Sequence, residues 1–138
     1  MTAIVDTSFL VSLTNPAEAN HAACLRVAET LNESLIVPQV ILPEVTYLLA
    51  KYQGSHVMRA FVKRLLSPAW RLEPLQTADL ARASALLDQY ADLGLDFPDA
   101  CIVGMAERLN VCRVLTLDRR HFAAVRPRHC PLFELLPR

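Results

Sequence analysis

Short apolar runs that end at an acid or a proline alternate along this chain with stretches in which apolar residues return every three or four positions. Residues 2–5 form one such run, ending at Asp6, and Leu35-Ile36-Val37 form another, ending at Pro38. Both have the length and composition of buried strands. Helical patterns follow each. Residues 7–13 read as helix, and 18–31 repeats apolar positions at Ala22, Leu25, Val27, Ala28 and Leu31, with Asn15-Pro16 breaking the two. From 39 to 52 the apolar face is Val40, Ile41, Val45, Leu48, Leu49 and Tyr52; Gly54 stands where a helix C-cap favours glycine, and Pro43 implies a kink or a late start.

The alternation continues to the end of the chain. Residues 57–66 read as helix stopped by Ser67-Pro68, 70–75 as strand, and Thr77 as the cap of a helix running to about Tyr90. Residues 96–109 are helical in pattern, 114–117 a strand, 119–125 a short helix, and 132–136 a final edge strand. The expectation is one α/β domain over residues 1–138, with a central, mostly parallel sheet of four to five strands and helices on both faces.

Composition narrows the function classes. Fourteen basic and fourteen acidic side chains cancel, so the totals lack the excess charge of a dedicated nucleic-acid binder. The balance is uneven, however: residues 107–138 carry seven arginines against three acids, and the remainder is acidic. Cys24, Cys101, Cys112 and Cys130 show no CxxC or CxxH pairing, so buried free thiols in a cytoplasmic protein are the better reading; a zinc site drawn from His21, Cys24, His129 and Cys130 lacks the usual spacing. The opening Met-Thr-Ala-Ile-Val-Asp has no basic leader, and no run of about 18 apolar residues addresses a membrane.

Ligands of open parallel sheets bind outside the carboxyl ends of the strands, so acids placed just after apolar strands are informative. Asp6 and Asp118 occupy such positions. Either alone is equally well a helix N-cap. Asp96 and Asp99 resemble a capping box at the start of a helix whose apolar face would fix Asp99 at the same rim. Glu44 lies close to an apolar helix face, where burial is costly without a cation or donor, with a solvated first-turn glutamate as the plain alternative. Converging carboxylates repel one another, and a hard divalent ion, magnesium or manganese, is the usual remedy. Such an ion suits phosphodiester hydrolysis. A chain with three glycines has no glycine-rich phosphate loop, and its cysteines and histidines form no local nucleophile and base pairing.

These segments together resemble the PIN-domain nucleases, and within them the VapC-type toxins of bacterial toxin–antitoxin pairs. Ile4-Val5-Asp6-Thr7-Ser8 is similar to the family's first strand and acid, and Val37-Pro38 through Leu42-Pro43-Glu44-Val45 to its second strand and glutamate-bearing helix. Pro98-Asp99-Ala100-Cys101-Ile102-Val103 resembles the third acid's helix, and Val114-Leu115-Thr116-Leu117-Asp118-Arg119-Arg120-His121-Phe122 the segment of the fourth. The resemblance implies Asp6, Glu44, Asp99 and Asp118 as catalytic metal-site acids holding Mg²⁺ or Mn²⁺, with Ser8 and Thr116 as polar supports and Asp96 peripheral. It further implies endoribonuclease activity, a homodimer, and a small antitoxin seated in the acidic groove. Arg119 and Arg120 are candidate contacts to RNA phosphates or antitoxin acids, and the Phe9-Leu10-Val11 and Leu13 segment a candidate dimer patch.

Other α/β proteins with acids at strand ends fit less well. A phosphoacceptor receiver would want an acidic neighbour for Asp6 and a late lysine, yet the lysines end at Lys63; a haloacid-dehalogenase-like phosphatase would want an acid where Ser8 stands. A silent PIN-like scaffold for RNA or protein binding, and a housekeeping RNA-processing nuclease, keep the fold and differ in its use.

Overall fold

The computed structural model describes residues 2–31 and 35–138. Five strands form one parallel sheet: β1 (Ala3–Val5), β2 (Leu35–Pro38), β3 (Trp70–Glu73), β4 (Arg113–Leu115) and β5 (Glu134–Leu136), in the order β3-β2-β1-β4-β5. The central strands are the most apolar ones, as a sheet covered on both faces requires. Every residue of β1 is buried, and Ile4 pairs with Ile36 on one side and Val114 on the other.

Between the strands lie α1 (Thr7–Thr14), α2 (His21–Thr30), α3 (Leu42–Gln53), α4 (Ser55–Arg64), α5 (Thr77–Gln89), α6 (Phe97–Leu109) and α7 (Arg119–Ala124). The chain steps from β1 to β2 to β3 in one direction, then crosses back to β4 and β5 in the other. Right-handed crossovers therefore put α1 to α4 on one face and α5 to α7 on the opposite face. The packing of α1 on α3, of α3 on α4 and of α5 on α6 agrees with this division. The reversal of direction falls between β1 and β4, so the crevice expected of such sheets opens at the carboxyl ends of those two strands.

Local chemistry adjusts several boundaries. Pro43 is accommodated by a late start: a 3₁₀ turn over Gln39–Ile41 precedes α3, and proline then falls in the first turn, where its missing N–H costs nothing. Gly54 closes α3 at φ 102, a backbone conformation glycine adopts without strain. Thr77 is not the cap of α5; Gln76 is, in a reciprocal box with Asp79. The strand expected over 114–117 ends at Leu115, because the N–H groups of Leu117 and Asp118 turn to the hydroxyls of Ser8 and Thr116 instead of to a neighbouring strand. Helix α2 begins three residues later than the periodicity suggests, since consecutive turns from Asn15 to His21 occupy the approach.

Helix α6 is the structural spine of the second face, buried continuously from Asp99 to Ala106. Gly104 allows its close approach to α5, for a Cβ there would lie 3.1 Å from the Asp79 carbonyl oxygen. At the far end of the same helix Arg108 donates to both carboxylate oxygens of Asp79 and to Glu73, while Arg82 pairs with Glu107. Much of the arginine excess late in the chain is thus structural, with Arg113 paired to Glu134 and Arg119 bonded to the Pro137 carbonyl. Phe9, Leu10 and Leu13 are core residues, so they form no dimer patch. Among the described residues no helix is long and apolar enough to cross a membrane.

Candidate active site

Asp6 follows β1 directly, and its N–H donates to the Leu115 carbonyl, extending the β1–β4 ladder by one residue. Its carboxylate is nearly buried and densely bonded. Oδ1 accepts from Thr7 N–H at 2.7 Å, and Oδ2 accepts from the Thr116 hydroxyl at 2.8 Å and the Ser8 hydroxyl at 3.3 Å. Ser8 and Thr116 are locked in turn by the backbone N–H groups of Leu117 and Asp118, at 2.9 and 3.0 Å. One small network therefore ties the end of β1 to the segment carrying Asp118.

Asp99 reaches the same place from α6. Asp96 caps that helix, accepting from the Asp99 N–H at 3.0 Å, but only this half of the expected capping box is made. The Asp99 carboxylate is directed elsewhere: its Oδ2 lies 2.8 Å from His121 Nδ1, which is also 3.6 Å from Asp118 Oδ2. Asp118 leads into α7 without a side-chain capping bond, leaving its carboxylate free for the cleft. Glu44, in the first turn of α3, is exposed rather than packed on the apolar face.

These side chains share one cavity of about 370 Å³, lined by Asp6, Glu18, Glu44, Asp96, Asp99 and Asp118 together with Thr7, Ser8 and Ser12. No lysine, arginine or histidine is among its lining residues. The electrostatic consequence is visible in the acids themselves. Burial, then the charge of Asp6, pushes the Asp99 carboxyl up to about 7, against the opposing hydrogen bond from His121. Burial raises Asp6 as well, despite three hydrogen bonds that favour its charged form, and Asp118 adds to the rise. Glu44 is raised by partial burial and by the charges of Asp6 and Asp96. Carboxylates that raise one another in an oxygen-lined cavity fit a hard divalent cation, which would neutralise them and take their oxygens as ligands. Asp99, Asp118 and His121 alone already bring three donor atoms within 4.8 Å of one another.

All four acids expected from strand and helix ends, and Asp96 with them, line this cavity. Arg119 and Arg120 do not; both are exposed at the start of α7. Two participants are additions from the fold. Glu18 enters the lining because the turns after Asn15 hold it outside α2. His121 lies three residues beyond Asp118, the spacing that puts both on one side of a short helix, and that spacing is the one signal that pointed to it.

Comparison with known proteins bears on the fold and the family. The chain is 33% identical over 134 residues to Ribonuclease VapC26 of Mycobacterium tuberculosis (strain ATCC 25618 / H37Rv), covering 97% of this chain and 99% of that protein. Among solved structures, VapC20 of Mycobacterium tuberculosis, a Sarcin-Ricin loop cleaving toxin, superposes with a TM-score of 0.79 at 22% identity, over 84% of this chain and 89% of that one. VapBC2 from Rickettsia felis, bound to a DNA fragment from its promoter, does so with a TM-score of 0.72 at 16% identity, over 99% and 100%. These likenesses at low identity show the shared fold. With the PIN domain matching residues 3–126, and with a relative of this identity along nearly its whole length, the chain belongs to the PIN-domain family.

Proposed function

We propose that this protein is a metal-dependent endoribonuclease, the toxin of a toxin–antitoxin pair, acting in the cytoplasm through Asp6, Glu44, Asp99 and Asp118. The observation that carries this reading is the cavity in which six acids converge without a basic residue in its lining. The ribonuclease named among its relatives supports the choice of RNA as substrate.

Bound Mg²⁺ or Mn²⁺ would supply an activated water and stabilise the charge that develops on the phosphate and the leaving oxygen. The chain's own part is to hold and orient. Asp6, Glu44, Asp99 and Asp118 provide the ligand oxygens, while Ser8 and Thr116 fix the Asp6 carboxylate from one side. His121 acts as a positioning residue, donating to Asp99 and so setting which of its oxygens faces the cavity. In the reaction water adds to phosphorus, the bond from phosphorus to the leaving ribose oxygen breaks, and that oxygen takes up a proton. Exposed Arg119 and Arg120, just beyond Asp118, are placed to meet RNA phosphates or acids of an antitoxin. The protein works as a homodimer, and its antitoxin is a small protein that seats a segment in the acidic cavity. Toxin–antitoxin complexes among the structural neighbours, such as that from Klebsiella pneumoniae, support this partner.

The experiment is cleavage of a mixed structured RNA pool by purified, partner-free protein with Mg²⁺ or Mn²⁺, against chelator and Asp99→Asn. Cleavage that requires the metal and is lost in the variant is the expected result. Folded protein that cleaves nothing under these conditions would move the reading to a binding scaffold.

A further inference from the structure

At the opposite edge of the sheet, where the strands begin, a second cluster of ligand-type side chains has no part in the acid cavity. Cys112 immediately precedes β4, and His129 and Cys130 lie in the irregular segment 125–133 between α7 and β5. The Cys112 and Cys130 sulfurs and a ring nitrogen of His129 all fall within 4.8 Å of one another, and all three residues are half-buried. His21 and Cys24, the other members of the zinc set considered from sequence, are elsewhere: His21 bonds the Ser12 carbonyl and Cys24 is in the core. The fold replaces them with Cys112.

We propose that Cys112, His129 and Cys130 form a second metal site, separate from the acid cavity, that takes a thiophilic divalent ion of the zinc type. The spacing suits it. Tetrahedral zinc with its usual sulfur and nitrogen bond lengths separates its ligand atoms by roughly 3.5 to 3.8 Å, and Cys130 Sγ lies 3.7 Å from His129 Nε2. His129 Nε2, the nitrogen that faces Cys130, also meets the Val111 carbonyl at 2.7 Å, a contact that metal binding through this nitrogen would replace. Cys112 also lines a cavity of about 320 Å³ with Val111, Arg113 and Glu134, so one of the three ligand residues borders open space.

A thiophilic cation seated between the two sulfurs would stabilise both as thiolates. Bound there, it would clip the nine irregular residues 125–133 to the start of β4, where the backbone already joins Glu134 to Cys112 by a 2.8 Å hydrogen bond.

The test is titration of the reduced, chelator-stripped 138-residue chain with Co²⁺, followed by Zn²⁺. One equivalent of Co²⁺ should produce sulfur-to-cobalt charge-transfer absorption, which a carboxylate site lacks. The band should persist in Asp99→Asn, disappear in the Cys112→Ser/Cys130→Ser double variant, and be displaced by Zn²⁺. Absence of the band in the folded, reduced wild-type protein overturns the proposal, and so does a band that survives the double variant. Serine at these positions can disturb the loop, so a second measurement uses wild type alone: saturating Zn²⁺ should shield Cys112 and Cys130 from alkylation, read by peptide mass. Equal alkylation with and without zinc would overturn the site.

Discussion

Thr116 and Asp6, 110 positions apart in the chain, meet through a 2.8 Å hydrogen bond in which the threonine hydroxyl donates to Asp6 Oδ2. The same hydroxyl oxygen accepts the Asp118 N–H at 3.0 Å, so one buried side chain sets the place of two cavity acids. Thr116→Val keeps the shape and removes both bonds. A buried N–H and a carboxylate oxygen left short of partners cost roughly 1 to 3 kcal/mol. The expected result is a lower denaturation midpoint with unchanged m value, together with an activity loss of about 10- to 100-fold from a misplaced ligand set. Thr116→Ser should recover most of both. Full activity in the valine variant would mean that Asp6 needs no such support.

Asp99 makes the metal-free protein sensitive to pH in a defined direction. Its carboxyl titrates near 3.8 when unfolded and near 7 when folded, so the protonated form is the one that suits the fold. The stability it contributes is complete below about 3.8 and is lost as the pH rises through about 7. Asparagine escapes that loss. In chelator, Asp99→Asn should therefore gain on wild type as the pH is raised across this window, by up to about 4 kcal/mol at the upper end. Mg²⁺ should then stabilise wild type and leave the variant unmoved. Melting temperatures that differ by a constant amount at every pH would contradict this account.

What could be read from the chain in advance was local. An apolar run closed by an acid shows both a buried strand and the position of its carboxylate, so Asp6 and Asp118 stood out before any fold was known. Asp96 and Asp99 were visible as helix-start residues because capping follows from spacing within one turn. The features that escaped depend on chain reversals whose geometry periodicity does not encode. Glu18 joins the cavity through a series of turns that looks, as sequence, like the first residues of α2. Cys112 joins His129 and Cys130 because β4 and β5 are neighbours, a pairing that depends on the order of strands in the sheet. The caps at Gln76 and the shortened β4 were decided by side-chain bonds that outcompete propensity.

The placement of Asp99 also depends on the other end of its helix. Arg108, near the end of α6, is the cation for both Asp79 and Glu73, and Asp79 is almost entirely buried. Arg108→Met retains much of the packing and leaves the buried Asp79 without a counter-ion, while Glu73 keeps only the more exposed Arg71 at 3.2 Å. Removing one partner of a buried pair in this way costs about 3 kcal/mol or more. Equilibrium urea unfolding should show that loss. A variant as stable as wild type would mean that water already screens this network.

His121 separates a positioning role from a ligand role. Its Nδ1 lies 2.8 Å from Asp99 Oδ2 and 3.6 Å from Asp118 Oδ2, and its side chain is mostly buried. If it orients Asp99, His121→Asn should keep a donor near that carboxylate and recover part of the function, whereas His121→Ala should lose about 10- to 100-fold in Mn²⁺ affinity and in cleavage together. If it were itself an essential ligand, asparagine would fare no better than alanine. Neither substitution removes a core apolar group, so melting temperatures near wild type are expected for both, and the comparison rests on metal affinity measured by titration calorimetry. Equal affinity in all three proteins would remove His121 from the site altogether and leave Asp99 held only by its helix and by the Asp96 cap.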